Sequence, residues 1–134
     1  MTIVIDTSVV LAVLDPQDDL HDRAVAFYDT LEEDLVTTPL AVAEMDYLAT
    51  RRAGRPGADL LWANLDDGAV QVRWWATAMA ETLVIAHAHP ALGLTDASLL
   101  ALAPVVRTTR IASFDHRHLS AARTAAGEPV TLLP

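Results

Sequence analysis

The 134-residue sequence contains no cysteine and no lysine. Without cysteine there is no disulfide, no thiolate zinc site and no thiol nucleophile. Such a composition fits a reducing cytoplasm. Without lysine, every mechanism built on a lysine amine is excluded, and all nine basic residues are arginine. Long apolar runs are missing as well. The chain is 52% hydrophobic, yet no stretch reaches the roughly 18 residues of a membrane span. The run Ala97 to Val106 is cut by Pro104. Asp6 ends the first apolar run, so neither a signal sequence nor membrane association is expected. The length suits one domain over residues 1–134. A chain of this size buries about two-thirds of its unfolded surface and needs no staple. The apolar surplus points to a surface covered by a partner.

Positive charge is also in deficit, with a net charge of −9, which argues against a nucleic-acid enzyme until its distribution is read. Residues 15–34 hold eight acids and only Arg23, a net of −7. The remainder carries a net of −2, and four of its ten acids are the metal-ligand candidates described below. The rest of the chain can therefore still meet a phosphate backbone.

Thr2-Ile3-Val4-Ile5 is β-branched throughout and reads as a strand buried on both faces. A helix is expected from about Ser8 to Leu14. Leu20, Ala24, Phe27, Tyr28 and Leu31 recur at helical spacing beneath an acidic face. Leu35 to Thr37 reads as a second strand. Thr38 as N-cap and Pro39 at the first helical position then start a helix to about Arg52. Gly54-Arg55-Pro56-Gly57 reads as a turn, followed by a helix from Ala58 to about Leu65. Val70 to Val72 is a further strand, and a helix is expected over Ala76 to His87. Thr95 is expected to cap a helix running to Ala103. Ile111 to Ser113 and Val130 to Leu132 read as the last strands. This alternation predicts an α/β fold, a three-layer α/β/α domain with a mostly parallel central sheet.

Asp6 directly follows the first strand, and Asp115 follows Ile111-Ala112-Ser113 by one residue. Ligands of open parallel sheets bind outside the carboxyl ends of the strands. Glu44 has Leu40, Tyr47 and Leu48 as helical neighbours, so it reads as a lone carboxylate on an apolar face. Asp46 is expected on another side, in solvent. Asp96 lies in a first helical turn whose face continues with Leu99, Leu100 and Ala103. Singly, such acids are usually turn or helix-dipole residues. Together they form a hard-oxygen donor set suited to Mg²⁺, able to support two-ion phosphodiester chemistry.

Four blocks carry a family resemblance. Ile3-Val4-Ile5-Asp6-Thr7-Ser8-Val9-Val10-Leu11 resembles the opening strand and Asp of PIN domains. Thr38 to Glu44 is similar to the second block, Leu94 to Ala103 to the third, and Ile111 to Leu119 to the fourth. The blocks run in family order across nearly the whole chain, whose length suits a VapC toxin of a VapBC toxin–antitoxin pair. The resemblance implies a metal-dependent endoribonuclease that hydrolyses RNA to inhibit translation and growth. It implies Asp6, Glu44, Asp96 and Asp115 as catalytic, metal-binding acids with Ser8 and Thr7 beside them. It also implies Mg²⁺ or Mn²⁺, a homodimer and a VapB-type antitoxin. Many members carry a further acid one turn after the third-block Asp, where this chain has Leu100.

Arg110 and Arg117 flank the fourth acid and are candidate RNA-phosphate ligands. Arg51 and Arg52, near Arg55 at a helix end, are candidates too, although cations there also suit the helix dipole. The pairs His87/His89 and His116/His118 do not share a helical face and are expected in surface or capping roles. Trp62, Trp74 and Trp75 read as core or interface. Haloacid-dehalogenase-like phosphatases and response-regulator receivers also place an Asp after a buried strand, but both need a lysine. The remaining alternative is a catalytically idle PIN-like module that acts by binding protein or RNA. Loss of one of the acids would mark such a module, and all four are present.

Overall fold

The computed structural model describes residues 1–134. The strands are β1 (Thr2–Ile5), β2 (Asp34–Thr37), β3 (Gln71–Val72), β4 (Arg110–Ala112) and β5 (Thr131–Leu133). All pair in parallel, in the order β3-β2-β1-β4-β5. Ile3, Val4 and Ile5 are essentially out of solvent, as expected of a central parallel strand covered on both sides. The helices are α1 (Thr7–Leu14), α2 (His21–Asp29), α3 (Pro39–Asp66), α4 (Ala78–Ala88), α5 (Leu94–Val105) and α6 (His116–Leu119). The expected α/β layering is therefore present.

Right-handed crossovers place α1–α3 over one face, because β1, β2 and β3 progress in one direction. The path reverses from β3 to β4, which puts α4–α6 over the other face. α1 lies against α2 and α3, α5 lies against α4, β1 and β4, and α3 also meets α5. The strand order thus reverses between β1 and β4, the topological switch point at which open α/β sheets bind ligands.

The most buried helix is α5, whose residues Ala97 to Ala103 are all inside. It is apolar nearly all round, as a helix sandwiched between α4 and the sheet must be. Most boundaries lie one or two residues from those read in the sequence, and the short α6 has no counterpart there. Gly93, not Thr95, is the N-cap of α5, and no side chain caps it. Thr95 lies inside the first turn, its carbonyl accepting from Ser98 Oγ at 2.7 Å. The expected turn at residues 54–57 is a kink between two helical limbs. Gly54 alone leaves helical geometry, at φ 63° and ψ −154°, a region that side chains with a Cβ avoid. Gly57 lets the limbs close, because a Cβ there would stand 2.6 Å from the Ala49 carbonyl oxygen. The limbs fold back far enough for Trp62 Nε1 to donate to Asp46 Oδ1 at 2.6 Å. Asp46 is therefore a packed acceptor and not the free solvent charge expected. No helix is long and apolar enough to cross a membrane.

Candidate active site

Parallel pairing delivers the carboxyl end of every strand to one rim, so the helices that follow begin there. Asp6 is the first residue past β1 and the N-cap of α1. Its backbone N–H donates to Ala112 O of β4 at 2.9 Å, fixing it at the switch point. Its side chain is nearly buried, at 4% exposure. Oδ1 accepts from the Thr7 N–H at 2.7 Å. Oδ2 accepts from Ser113 Oγ at 2.7 Å and from Ser8 Oγ at 3.1 Å. Burial pushes the Asp6 pKa above the usual carboxylate value despite these hydrogen bonds, and the Glu44 charge adds to the rise.

The two serines tie this carboxylate to the next strand end. Ser8 Oγ also accepts from the Phe114 N–H at 3.0 Å. Ser113 Oγ accepts from the Asp115 N–H at 3.0 Å. One hydroxyl pair thereby sets the spacing between Asp6 and Asp115. Ser113 was not singled out from the sequence. Its only signal is a small hydroxyl residue at the end of a buried strand, two before an acid. Thr7 is buried, and its hydroxyl has no protein partner.

Asp115 caps the short α6, accepting from the His118 N–H at 3.3 Å and facing His118 Nδ1 at 3.0 Å. Burial raises the Asp115 pKa, but hydrogen bonds from the His118 ring and backbone, with the His118 and Arg117 charges, outweigh it and leave it lowered. His118 thus pairs with the Asp115 cap and caps nothing itself, and His118, His116, His87 and His89 are all exposed.

Asp96 enters from the first turn of α5 and is half-buried. Its pKa is raised to about 6, first by burial and then by the charges of Asp6, Asp115 and Glu44, with His118 opposing. Thr38, which caps α3, and Ser98 of α5 share a buried 2.7 Å hydrogen bond. That bond holds the start of α3, which carries Glu44, against the start of α5. Glu44 does not interrupt an apolar face, contrary to the sequence reading. The buried face of α3 is Ala41, Met45 and Ala49, while Glu44 and Tyr47 are exposed. Small residues let α3 approach its neighbours closely, which turns Glu44 toward the opening.

All four acids line one cleft of ≈ 570 Å³, with Thr7, Ser8, Arg52 and His118. Arg52 is held at its edge by Asp18 at 3.1 Å and Asp15 at 3.9 Å. Arg51 and Arg117 are exposed outside the lining. Arg110 is not beside the acids: it opens β4 on the opposite rim, paired to Glu33 at 2.7 Å. That guanidinium, through its hydrogen bond, holds the Glu33 carboxyl below its usual range. Trp62 and Trp75 engage Asp46 and Glu81, and none of the three tryptophans lines the cleft.

No three acid or imidazole side chains form a ready-made coordination shell. The donor set nevertheless fits Mg²⁺ or Mn²⁺, since Mg²⁺ takes one or two carboxylates directly and keeps several waters. The pKa values of Asp6 and Asp96 are raised first by burial and further by neighbouring carboxylate charge, and a cation would offset both penalties. Leu100, where a further acid could have stood, is fully buried in the core.

The family model described as PIN domain matches residues 3–124. The chain is 32% identical to ribonuclease VapC26 of Mycobacterium tuberculosis over 139 residues, covering 98% of this chain and 99% of that one. It is also similar to the crystal structure of VapC20 of Mycobacterium tuberculosis, a sarcin-ricin loop cleaving toxin. There the TM-score is 0.82 at 20% identity, over 92% of this chain and 97% of that chain. A toxin–antitoxin complex from Klebsiella pneumoniae gives a TM-score of 0.66 at 12% identity, over 89% and 91% of the two chains. At these identities the two structural likenesses are of fold.

A raised Asp96 pKa means that the folded protein binds more protons than the unfolded chain between the two values. The stability contributed by neutral Asp96 is complete below the unfolded value near 3.8 and is lost as pH rises through about 6. In EDTA, wild type should therefore lose thermal stability relative to Asp96→Asn between pH 4 and 7, and fall below it at neutral pH. Melting curves of both proteins across that range test this. A difference that does not change with pH contradicts the site electrostatics.

Proposed function

Because this chain belongs to the PIN-domain family, we propose that residues 1–134 act as one ribonuclease domain, the toxin of a toxin–antitoxin pair. The observation that carries the reading is the gathering of Asp6, Glu44, Asp96 and Asp115 in one cleft at the switch point of the sheet. The 32% identity to a ribonuclease over nearly the full length supports it. The substrate is RNA, met in the cytoplasm, and the reaction is hydrolysis of an internal phosphodiester bond.

Asp6, Asp96, Asp115 and Glu44 would hold Mg²⁺ or Mn²⁺, which when bound would supply an activated water and positive charge for the leaving oxygen. Ser8 and Ser113 orient Asp6, Ser113 and His118 orient Asp115, and the Thr38–Ser98 bond sets the approach of Glu44 to Asp96. The N-termini of α1 and α5 point N–H groups and positive dipole ends toward the phosphate. Arg52 at the cleft edge and Arg117 beside Asp115 steer the anionic backbone. An idle binding module has no need of four mutually repelling carboxylates, and no observation favours it.

The partners are a second copy and an antitoxin that covers the cleft. The exposed face of α4, with Met79, Leu83 and Val84 in solvent, suits the homodimer contact. Light scattering at micromolar concentration should give the dimer mass for wild type and the monomer mass for Val84→Asp. A monodisperse wild-type monomer contradicts the dimer.

Asp6→Asn tests the chemistry. Asparagine keeps the shape and caps a helix equally well, but lacks the charge that holds a hard cation. Cleavage of RNA in Mn²⁺ should fall by about 100-fold or more, because metal assistance is worth several kcal/mol at about 1.4 kcal/mol per tenfold. Wild type should cleave nothing in EDTA. The variant should melt in EDTA no lower than wild type, since a neutral amide relieves the buried charge. A variant that melts far lower yet still cleaves would make Asp6 structural and the metal assignment wrong.

A further inference from the structure

Past Glu44 the cleft is lined along α3 by Leu48 and Arg52, and Tyr47 and Arg51 stand exposed beside that lining. Glu44 and Arg51 are seven residues apart, two turns and about 10 Å along the same side of the helix. Between them, Leu48 lines the cleft, and Tyr47 stands one turn from Glu44 with 60% of its surface in solvent. Nothing in the fold requires that exposure, because α3 packs through Ala41, Met45 and Ala49 on another side. Arg51 Nη1 donates to the Tyr47 hydroxyl at 2.9 Å, which orders ring and guanidinium together.

Arg51 also differs in charge balance from its neighbours. Arg52 and Arg55 each have a carboxylate within 4.0 Å, and Arg51 has none. From Glu44 the helix therefore presents, in order, an open aromatic ring, an apolar side chain and a cation with no carboxylate beside it. An aromatic face accepts any nucleobase by stacking, and an adjacent arginine neutralises backbone phosphate. A base can reach such a ring only when it is outside a duplex.

We propose that Tyr47 and Arg51 form the subsite for the nucleotide flanking the scissile bond, with its base stacked on Tyr47 and its phosphate met by Arg51. This rests on the ribonuclease reading and adds that the RNA is unpaired where it leaves the acids along α3.

The test uses the full chain and a fluorescein-labelled, unstructured RNA oligonucleotide. Anisotropy in an Asp6→Asn background reads affinity, and steady-state cleavage with Mn²⁺ in the Asp6 background reads KM and kcat. Tyr47→Leu should bind about 10-fold more weakly, the loss of one stacked base, with KM raised and kcat unchanged. Tyr47→Phe, which keeps the ring, should stay close to the parent. Arg51→Gln should weaken binding and flatten the slope of log affinity against log salt by about 0.7, one phosphate contact on a single strand. Tyr47→Leu binding and cleaving like a fully active parent would overturn the subsite alone. The same substitution shifting the dimer to monomer with RNA affinity intact would also overturn it, assigning the face to a second copy. A parent that neither binds nor cleaves RNA would bring down the ribonuclease reading and the subsite together.

Discussion

Asp6 is held almost out of water at the end of the central strand, within the field of Glu44 and Asp96. Removing a carboxylate from water costs several kcal/mol. Three hydrogen bonds to its oxygens return about 1.5–3 kcal/mol each, yet the pKa is still raised. The hydrogen bonds therefore fix where the carboxylate points without fully compensating its charge. A divalent cation, as proposed for this site, would supply the missing compensation.

The scaffold makes that arrangement possible in two ways. An all-parallel sheet sends every following helix off from one rim, so caps and first-turn acids collect there without long loops. The reversal of strand order between β1 and β4 opens a crevice at that rim, with α1 and α3 on one side and α5 on the other. The stabilising interactions lie elsewhere, in the buried strands and in the fully enclosed run of α5. Hydrophobic burial of this kind, at about 25 cal/mol per Å², tolerates a locally strained polar site that a smaller core could not.

Much of this is legible in the sequence. The β-branched runs give the strands, and the acids at their ends are recognisable because strand ends of a parallel sheet are binding positions. Glu44 lines the cleft, but not by interrupting an apolar face: helical spacing alone cannot tell which stripe of α3 is packed, and Ala41, Met45 and Ala49 are its buried side. Arg110 was misread because proximity in sequence to Asp115 was taken for proximity in space. The strand β4 lies between them and carries Arg110 to the opposite rim, where Glu33 from a distant segment meets it. Ser113 has no sequence signature apart from its position, since its role depends on a partner 107 residues away. The kink at Gly54 is visible as Gly and Pro, but the closure of the two limbs on Gly57 is not.

The central claim is that four crowded carboxylates form a cation site whose protons are displaced by metal. The direct measurement is calorimetric titration of Mn²⁺ into wild type in two buffers of different ionisation enthalpy. Metal binding to protonated ligands releases protons, so with Asp96 titrating at about 6, binding at pH 6 should release on the order of half a proton per chain or more. The release should shrink toward zero at pH 8 and be reduced in Asp96→Asn. Binding with no proton release at pH 6, or no Mn²⁺ binding at either pH, would contradict the account.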